Sequence, residues 1–386
     1  MCFHSYFIIC FETAQIRRFL LNKRRWWNVI DSTLDERSIS YEFIFSTYNI
    51  LAPEYLLKNI DGYSQCVPRH LDWDYRADQI LREINNLNSD ILNLQECNLR
   101  KFRQKIWPSL KQEYEMVFKK KTMDYQDGCS ILFRRDKFEL ESTCDVEFNR
   151  PDLSPWLNRA QVGLMLKLRA KESPNNSVVI CNTHLLYNPT RGEIKLAQLR
   201  LLLAELQRFS IDKNGSPKNE TDPRKLVYHP IIFGGDLNSE IGGALIEFLK
   251  NGSISLNNIK SGAVGLQPNG SRKGNLLTLK DIFIHGIDES TLYHSEDSVY
   301  SDMKLSHIFP FKSVYPLDCQ DCFSFSVEKE FGQPDHIFYT SGNESELELV
   351  AFRKLLKRTA LESIGPIPNS VLPSDHLSLS AKFCFK

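Results

Sequence analysis

The segment PIIFGGDLN, residues 230–238, carries the clearest architectural signal in this chain. Its apolar first half predicts a buried strand, and its second half ends in acidic and amide side chains. Gly234 and Gly235 are expected to let the backbone turn, so that Asp236 and Asn238, two residues apart, project to the same side. Because α/β scaffolds place functional side chains on loops at strand ends, the segment predicts a strand with part of a site at its end.

The same arrangement, an apolar strand with polar residues at one end, recurs along the chain. Besides GDLN, the polar ends read YN, QE, NTH, PDH and SDH, which makes six in all. One polar residue at a strand end is usually a structural cap, whereas so many indicate a shared site. Strands are predicted at residues 43–51, 90–96, 115–120, 129–135, 162–168, 177–185, 230–238, 336–341 and 376–385.

Two amphipathic segments predict helices between these strands. Residues 71–87 place Ile80, Ile84 and Leu87 at helical spacing, and residues 192–206 repeat leucines with the same period. The alternation of buried strands with helices predicts the α/β class.

The composition favours a large globular protein, since 42% of the 386 residues are hydrophobic. Lysine plus arginine equal aspartate plus glutamate at 48 each, so no overall basic field draws the chain onto nucleic acid, and any such contact must be local. Basic clusters occur at residues 23–25 and 119–121, although a short charge run is most often a solvated surface.

The ten cysteines are scattered singly, apart from Cys319 and Cys322, which form one CxxC pair. A structural zinc site needs four ligands and no second CxxC occurs, so metal or redox use of the pair is not the favoured interpretation. Scattered thiols suit a reducing compartment. We therefore expect an intracellular protein, cytoplasmic or nuclear or both.

One large domain is expected at residues 41–386, with a polar insertion at about 251–330 that is rich in Gly, Asn and Ser. Residues 1–40 are predicted to form a flexible leader in which RRWW, residues 24–27, docks on the domain. The first eleven residues are apolar but too short to span a bilayer and lack the features of a secretory signal, so no membrane association is predicted.

Glu96 ends its strand without an adjacent basic residue, and a carboxylate in that position is a natural oxygen ligand for Mg²⁺. Asn49 occupies the equivalent position on the first strand, where its neutral amide can hold the Glu96 carboxylate, the metal or a phosphate oxygen. Asp375 is expected to reach the same metal. Mn²⁺ is the expected substitute ion.

Asp236 is predicted to orient and deprotonate a water for in-line attack on phosphorus, and Asn238 to hold that water or a phosphate oxygen. His184 and His376 each adjoin a strand and are expected to face one cleft, where they neutralise a pentavalent phosphorane. Asp335 is expected to pair with His376, fix its tautomer and keep the imidazole cationic.

Several motifs together resemble the endonuclease/exonuclease/phosphatase superfamily, and their order and spacing match it from about residue 43 to the C-terminus. Three further segments look most like the Angel proteins, relatives of the carbon-catabolite-repressor deadenylases and nocturnin. The superfamily motifs are YNIL (48–51), LQE (94–96), NTHLLYNP (182–189), GGDLNS (234–239), PDHIFY (334–339) and SDH (374–376). The Angel-like segments are WDYRADQILREI (73–84), DGCSILFRRDKFEL (127–140) and HLLYNPTRGEIKLAQLRLLLAEL (184–206).

The resemblance implies a four-layer α/β sandwich, two mixed sheets flanked by helices, with a cleft at one sheet edge. It implies Mg²⁺ on Glu96 and Asp236 as the water-orienting base. Phosphate binding and transition-state support are implied for Asn49, Asn238, His184, Asp335 and His376.

Substrate contacts are expected from Pro189 and Phe331. In deadenylase relatives the proline after the histidine-containing strand contacts adenine, and Pro189 holds that position. Phe331 lies just before Asp335 and is the aromatic residue expected to stack on a base. Deadenylase relatives carry Trp-Asp-Pro where this chain has Tyr187-Asn188-Pro189, which weakens the expectation of adenine selectivity.

The predicted function is therefore a Mg²⁺-dependent RNA 3′-end phosphodiesterase that removes poly(A) or terminal 2′,3′-cyclic phosphates, two substrates that the sequence does not separate. A phosphatase of lipids or small nucleotides is the enzymatic alternative, and the polar insertion disfavours lipid. A scaffold that binds RNA or translation factors is the non-catalytic alternative, although every acidic and histidine position is intact. The expected partners are RNA 3′ ends and factors of translation or mRNA decay, and a monomer is expected.

Overall fold

The computed structural model of the chain describes residues 14–20, 23–29, 41–217, 220–278, 281, 283–285, 287, 304–319, 321–328, 330–342 and 347–386. Two large β-sheets dominate this part of the chain.

The strands of the first large sheet are β1 (Trp26–Asn28), β2 (Tyr41–Asn49), β3 (Ile91–Gln95), β4 (Tyr114–Lys120), β5 (Gly128–Arg134), β16 (Leu347–Arg353) and β17 (Leu379–Phe385). Their order across the sheet is β1-β16-β17-β2-β3-β5-β4. β2 and β3 run parallel, and the other neighbouring pairs run antiparallel. The sheet is therefore mixed.

The second large sheet contains β6 (Phe138–Asn149), β7 (Asn158–Ala170), β8 (Ser177–His184), β9 (Ile231–Asp236), β12 (Lys312–Ser313) and β15 (Asp335–Thr340). Their order is β12-β15-β9-β8-β7-β6, with β8 and β9 parallel. Two small antiparallel sheets of two strands each complete the strands, namely β10 (Ser253–Ser255) with β11 (Lys304–Ser306) and β13 (Phe325–Val327) with β14 (Glu330–Gly332).

The two large sheets face each other across an apolar core. Phe43 of β2 and Ile232 of β9 belong to one cluster of buried side chains drawn from both sheets. The buried Asn93 of β3 donates from Nδ2 to the carbonyl oxygens of Cys181 and Gly234 in the opposite sheet, at 3.0 and 2.9 Å. Because a buried amide without partners is costly, these two hydrogen bonds fix how the sheets are aligned.

Helices cover the outer faces of both sheets. Gly192–Ser210 and Ala244–Asn251 pack on the second sheet, and Trp73–Leu87 packs on the first. This arrangement of layers confirms the predicted α/β sandwich of two mixed sheets flanked by helices. The shorter helices are Pro53–Lys58, Pro68–Leu71, Leu99–Lys105, Trp107–Leu110, Ser261–Gly265 and Arg358–Ser363, with 3₁₀ turns at Ile60–Tyr63 and Pro223–Lys225.

The helix Trp73–Leu87 shows how local sequence sets these boundaries. The Asp72 carboxylate accepts hydrogen bonds from the backbone N–H groups of Asp74 and Tyr75, at 2.9 and 3.2 Å, and so caps the first turn. Asn88, with φ of 46°, ends the helix in the left-handed conformation. The predicted helix at residues 71–87 therefore begins two residues too early.

The two parallel pairs position the polar strand ends. Parallel neighbours have their carboxyl ends at the same edge of a sheet, so the ends of β2 and β3 lie together, as do those of β8 and β9. Because the sheets face each other, all four ends meet at one edge of the sandwich.

Two features of the chain differ from expectation. β6 and β16 were not predicted, because charged and polar residues alternate with apolar ones along β6, and β16 offers only the short apolar run at residues 349–352. Residues 14–20, within the predicted leader, are helical. β1 begins at Trp26, within the RRWW segment that was predicted to dock, and it pairs antiparallel with β16. Within the predicted insertion, residues 279–280, 282, 286, 288–303, 320 and 329 lie outside the described residues.

Cys319 and Cys322 are joined by a disulfide. No helix in the described part of the chain combines the length and apolar character needed to cross a lipid bilayer.

Candidate active site

The predicted site residues lie at neighbouring strand ends. Asn49 ends β2, Glu96 follows β3, His184 ends β8 and Asp236 ends β9. Asp236 of β9 lies opposite His184 on the neighbouring strand β8 and opposite Asp335 on the other neighbour, β15. The fold therefore brings together residues that are almost 300 positions apart in sequence, from Asn49 to Asp335.

Asn49 joins the carboxylates of the two sheets. Its Nδ2 donates to Glu96 Oε1 at 3.1 Å and to Asp236 Oδ2 at 3.0 Å. Its Oδ1 accepts from the backbone N–H of Leu51 at 3.0 Å, which orients the amide with its donors toward the carboxylates. A neutral amide thus bridges two acidic groups without adding charge.

Glu96 is held from both of its oxygens. The backbone N–H of Ala52 donates to Oε2 at 2.8 Å, opposite the contact with Asn49. Burial raises the pKa of Glu96 to about 7, with Lys121 opposing the rise and Asp375 adding to it. The Glu96 backbone has φ of 55°, in the left-handed region that a residue with a side chain adopts only at a cost.

The turn after β9 is made by Asn238, not by the glycines before it. Asn238 has φ of 48°, its backbone N–H donates to Asp236 Oδ1 at 2.9 Å, and its Nδ2 donates to the Leu185 carbonyl at 2.9 Å. The expectation that Gly234 and Gly235 form the turn is wrong, because both lie within β9.

Those two glycines are needed for close packing instead. A Cβ on Gly235 would lie 2.2 Å from the Thr183 carbonyl oxygen, and one on Gly234 would lie 2.7 Å from the Phe45 ring. The glycines therefore allow β9 to approach its neighbouring strand and the opposite sheet.

Two histidines face the Asp236 carboxylate. His184 Nε2 lies 3.5 Å from Asp236 Oδ2, and His376 Nε2 lies 3.7 Å from the same oxygen. His376 Nδ1 donates to Asp335 Oδ2 at 2.8 Å, and the Ser324 hydroxyl donates to that oxygen at 2.7 Å.

These surroundings give the two histidines opposite charge preferences. Burial would lower the pKa of His376, but Asp335, Asp236 and Asp375 together raise it well above its usual range. Burial, Lys121 and His376 lower the pKa of His184 well below its usual range. At neutral pH, His376 is therefore cationic and His184 is neutral.

Asp236 also has a perturbed pKa, and it remains a usable base. Burial and the Asp335 carboxylate raise its pKa to about 6, while His376 and the Asn49 hydrogen bond oppose the rise. A carboxyl with that pKa is deprotonated at neutral pH and is more basic than an ordinary aspartate.

Asp375 points to a different part of the site from its neighbour His376. The Tyr63 hydroxyl donates to Asp375 Oδ2 at 2.7 Å, and Ser374 Oγ lies 3.3 Å from Oδ1. Electrostatic repulsion between Asp375 and Glu96 helps to raise the pKa of Glu96.

The carboxylates fit a divalent cation. Asp236, Asp335 and His376 place ligand atoms within 4.8 Å of one another. In this group, however, Asp335 Oδ2 and His376 Nδ1 are already hydrogen-bonded to each other. Glu96 has no such cationic partner at hydrogen-bond distance among the described residues, and its raised pKa records the cost of keeping a buried carboxylate charged near Asp375. A divalent cation at Glu96 would remove that cost.

The sequence and the fold are both similar to those of known proteins over most of the chain. A family model described as "Endonuclease/Exonuclease/phosphatase family" matches residues 46–376. The chain belongs to the endonuclease/exonuclease/phosphatase family.

Two relatives within this family are similar to this chain over more than nine-tenths of its length. Protein angel homolog 2 of Mus musculus is 34% identical over 403 residues, covering 92% of this chain and 71% of that protein. The crystal structure of ANGEL2, a 2′,3′-cyclic phosphatase, in complex with adenosine-2′,3′-vanadate is 34% identical with a TM-score of 0.81, and covers 94% of this chain and 99% of that one.

A more distant relative has a different activity. The CCR4-Not complex 3′-5′-exoribonuclease subunit Ccr4 of Schizosaccharomyces pombe is 26% identical and covers 90% of this chain and 50% of that protein. The predicted resemblance to Angel proteins and deadenylase relatives is confirmed, and the chain is a phosphoester hydrolase of this family.

Side chains of the candidate site border a cleft of about 450 Å³, which is lined by Asp236, His184 and His376 among other residues. Pro189 and Phe331 do not line it. They line an adjoining hollow of about 30 Å³. Tyr187 and Phe325 border both spaces, and Tyr55, Tyr63 and Tyr125 also line the cleft.

Lys121 also lines the cleft and was noted in the sequence only as part of a basic run. Its Nζ lies 2.7 Å from Asp127 Oδ2 and 4.8 Å from the centre of the Tyr55 ring, and it is buried. Buried lysines are rare unless paired. Linear sequence gave no sign of this pairing, because it depends on the turn between β4 and β5.

Proposed function

We propose that this chain is a divalent-metal-dependent phosphoesterase of RNA 3′ ends and that terminal 2′,3′-cyclic phosphates are its preferred substrate. The observation that carries the proposal is the convergence of His184 Nε2 and His376 Nε2 on Asp236 Oδ2, at 3.5 and 3.7 Å, in the lining of the cleft. The relative that binds adenosine-2′,3′-vanadate supports the choice of substrate.

Asp236 is the proposed general base. It accepts a proton from the attacking water, whose oxygen forms a bond to phosphorus as one ring P–O bond breaks. The departing ribose oxygen takes up a proton from solvent and ends as a hydroxyl. Asn238 fixes the Asp236 carboxylate through its backbone N–H.

The two histidines contribute differently to the transition state. His376 is cationic and offsets the negative charge that develops on the phosphorane oxygens. His184 is neutral and offers a hydrogen bond without adding positive charge near Lys121. Asp335 keeps His376 charged and oriented.

Glu96, Asn49 and Asp375 are the proposed holders of the metal. We propose Mg²⁺, with Mn²⁺ as a substitute. When bound, the ion supplies Lewis-acid stabilisation of a phosphate oxygen.

Substrate choice is argued from the aromatic residues. A processive poly(A) nuclease needs stacking platforms, each worth on the order of 1–3 kcal/mol per base. The Phe331 ring already packs on Phe323, with centroids 5.5 Å apart, and lies 4.7 Å from the Arg358 guanidinium. Phe331 therefore packs against its neighbours and does not line the cleft, so it is not available as a stacking platform, and the preference for the terminal phosphate rests on the relative that binds adenosine-2′,3′-vanadate.

Comparing initial rates on 5′-labelled RNAs tests the proposal. The RNAs end in an A-tail, a U-tail of equal length, or a 2′,3′-cyclic phosphate, and each is incubated with Mg²⁺ or with EDTA. We expect rapid loss of the cyclic phosphate in Mg²⁺, no reaction in EDTA, and similar slow rates on the two tails. Asp236→Asn serves as the inactive control.

A strong rate advantage for the A-tailed RNA, abolished in Pro189→Gly, would instead identify a deadenylase. Turnover of a lipid or a free nucleotide with no turnover of RNA would move the chain to the phosphatase alternative. Binding of RNA without turnover of any substrate would favour the scaffold alternative. RNA 3′ ends remain the proposed partner inside the cell, with translation or mRNA-decay factors as further candidates.

A further inference from the structure

Lys195 is a fully buried lysine in the helix Gly192–Ser210. Its Nζ donates to the Asn238 carbonyl oxygen at 2.7 Å and to Gln267 Oε1. No carboxylate among the described residues lies within ion-pair distance of it. Burial lowers the pKa of Lys195 to about 7, with Asp236 and Glu240 opposing the fall.

Such a group needs an explanation, because burying an ammonium without a carboxylate partner is energetically unfavourable. The surroundings make room for it. A Cβ on Gly265 would lie 2.8 Å from Lys195 Nζ and 3.2 Å from the Asn238 carbonyl oxygen. The helix that carries Lys195, the end of the helix Ser261–Gly265 and the turn at Asn238 therefore meet at this amine.

Lys195 reaches the cleft through its hydrogen bond to Gln267. Gln267 lines the same cleft as Asp236 and Asn238 and also borders the adjoining hollow. With its Oε1 bound to Lys195, the acceptor end of the amide is occupied and its NH₂ group is the end left for a ligand. An amide donor in this position suits an oxygen of the terminal nucleotide.

We propose that Lys195 is a positioning residue that holds Gln267 so that the Gln267 amide donates a hydrogen bond to an oxygen of the terminal nucleotide. Lys195 acts through Gln267 and does not itself touch the substrate. The assignment rests on the proposed function, since it adds a binding contact to the same cleft.

Four variants test whether the Gln267 amide contacts the substrate and whether Lys195 acts through Gln267. Gln267→Glu keeps an acceptor for Lys195 but removes the donor, so KM for cyclic-phosphate RNA is expected to rise about tenfold with little change in kcat. Gln267→Leu removes both. Lys195→Met is expected to raise KM by a similar factor, and the double variant Lys195→Met/Gln267→Leu is expected to be no worse than Gln267→Leu alone.

A purely structural role for Lys195 predicts a different pattern. In that case Lys195→Met lowers the melting temperature without raising KM, or its effect multiplies with that of Gln267→Leu, and either result overturns the assignment. Leu203→Ala is the matched control, because it removes buried volume from the same helix away from the cleft and should lower stability while KM stays unchanged. If Lys195→Met does not fold, unchanged KM in Gln267→Glu is sufficient to reject the contact.

The same variants are also placed in the inactive Asp236→Asn background, where fluorescence anisotropy gives the Kd of labelled cyclic-phosphate RNA. If Asp236→Asn/Gln267→Glu binds this RNA more weakly than Asp236→Asn alone, the contact is supported independently of turnover. Equal Kd values for these two variants contradict the contact. Failure of the otherwise unaltered enzyme to hydrolyse any RNA would reject the proposed function while leaving this binding result to stand on its own.

Discussion

His376 and Asp335 form a buried pair in which the imidazole Nδ1 donates to the carboxylate Oδ2 at 2.8 Å. The pairing leaves Nε2 to face the cleft, 3.7 Å from Asp236. Asp335 therefore determines which ring nitrogen faces the cleft, and it does so from the strand next to the one that carries Asp236.

Asp335→Asn is expected to lower kcat about 100- to 1,000-fold, because His376 loses the carboxylate that keeps it cationic. The raised pKa of His376 means that its charged form stabilises the folded protein fully below its usual pKa of about 6.5, and that this stability is lost as pH rises toward the folded value. The loss of unfolding free energy in the variant should therefore be larger near pH 6 than near pH 9 in denaturant titrations. An equal loss at both would contradict the pairing.

Asp236→Asn is expected to reduce turnover of cyclic-phosphate RNA by about 100- to 10,000-fold, since an amide cannot accept the proton of the attacking water. The amide keeps the size of the side chain and can still accept from Asn238 N–H, so the Kd for RNA should change little. Single-turnover kinetics together with anisotropy separate the two effects. Wild-type turnover in this variant would show that another group is the base.

Glu96→Gln is expected to reduce turnover by roughly 1,000-fold, about 4 kcal/mol, because the proposed metal loses its central carboxylate. The amide can still accept from Ala52 N–H, so the fold should persist. Isothermal titration with Mg²⁺ and with Mn²⁺ checks the loss of binding directly. Undiminished metal affinity would place the ion elsewhere, for instance among Asp236, Asp335 and His376.

The stabilisation that Mg²⁺ gives the protein is expected to grow as pH rises. The folded pKa values of Glu96, about 7, and Asp236, about 6, both lie above the usual carboxyl range. In the metal-free protein these groups favour folding below their usual pKa values, and this contribution is lost as pH rises through 6 to 7. Metal binds the deprotonated forms, so the increase in Tm on adding Mg²⁺ should be larger near pH 8 than near pH 5.5, and Glu96→Gln should flatten the difference.

The sequence predicted the parts of the fold that depend on local pattern. Continuous apolar runs such as β8 and β9 were predicted within a few residues of their observed bounds, and the polar residues that follow them meet at one site. Residues whose roles depend on contacts across the sandwich were not predicted. Asn93 aligns two sheets and Lys195 joins a helix to two loops, yet each has an ordinary sequence context.

β6 shows a second kind of limit. Its exposed face carries charged residues, so its alternation was not recognised against the stronger apolar runs nearby. The role of Gly234 and Gly235 was misjudged for a related reason. A glycine needed for a turn and one needed for close contact between strands look identical in sequence, and the Thr183 carbonyl that requires Gly235 is about 50 residues away.

The left-handed backbone at Glu96 and at Asn238 makes the proposed metal-binding and water-holding positions conformationally costly, by roughly 1 kcal/mol or more each. Glycine at either position would relax the backbone while removing the side chain that the chemistry needs. A library of this enzyme selected only for heat resistance is therefore expected to accumulate glycine at these two positions and to yield durable but inactive proteins. Thermostability engineering of this chain has to hold both positions fixed.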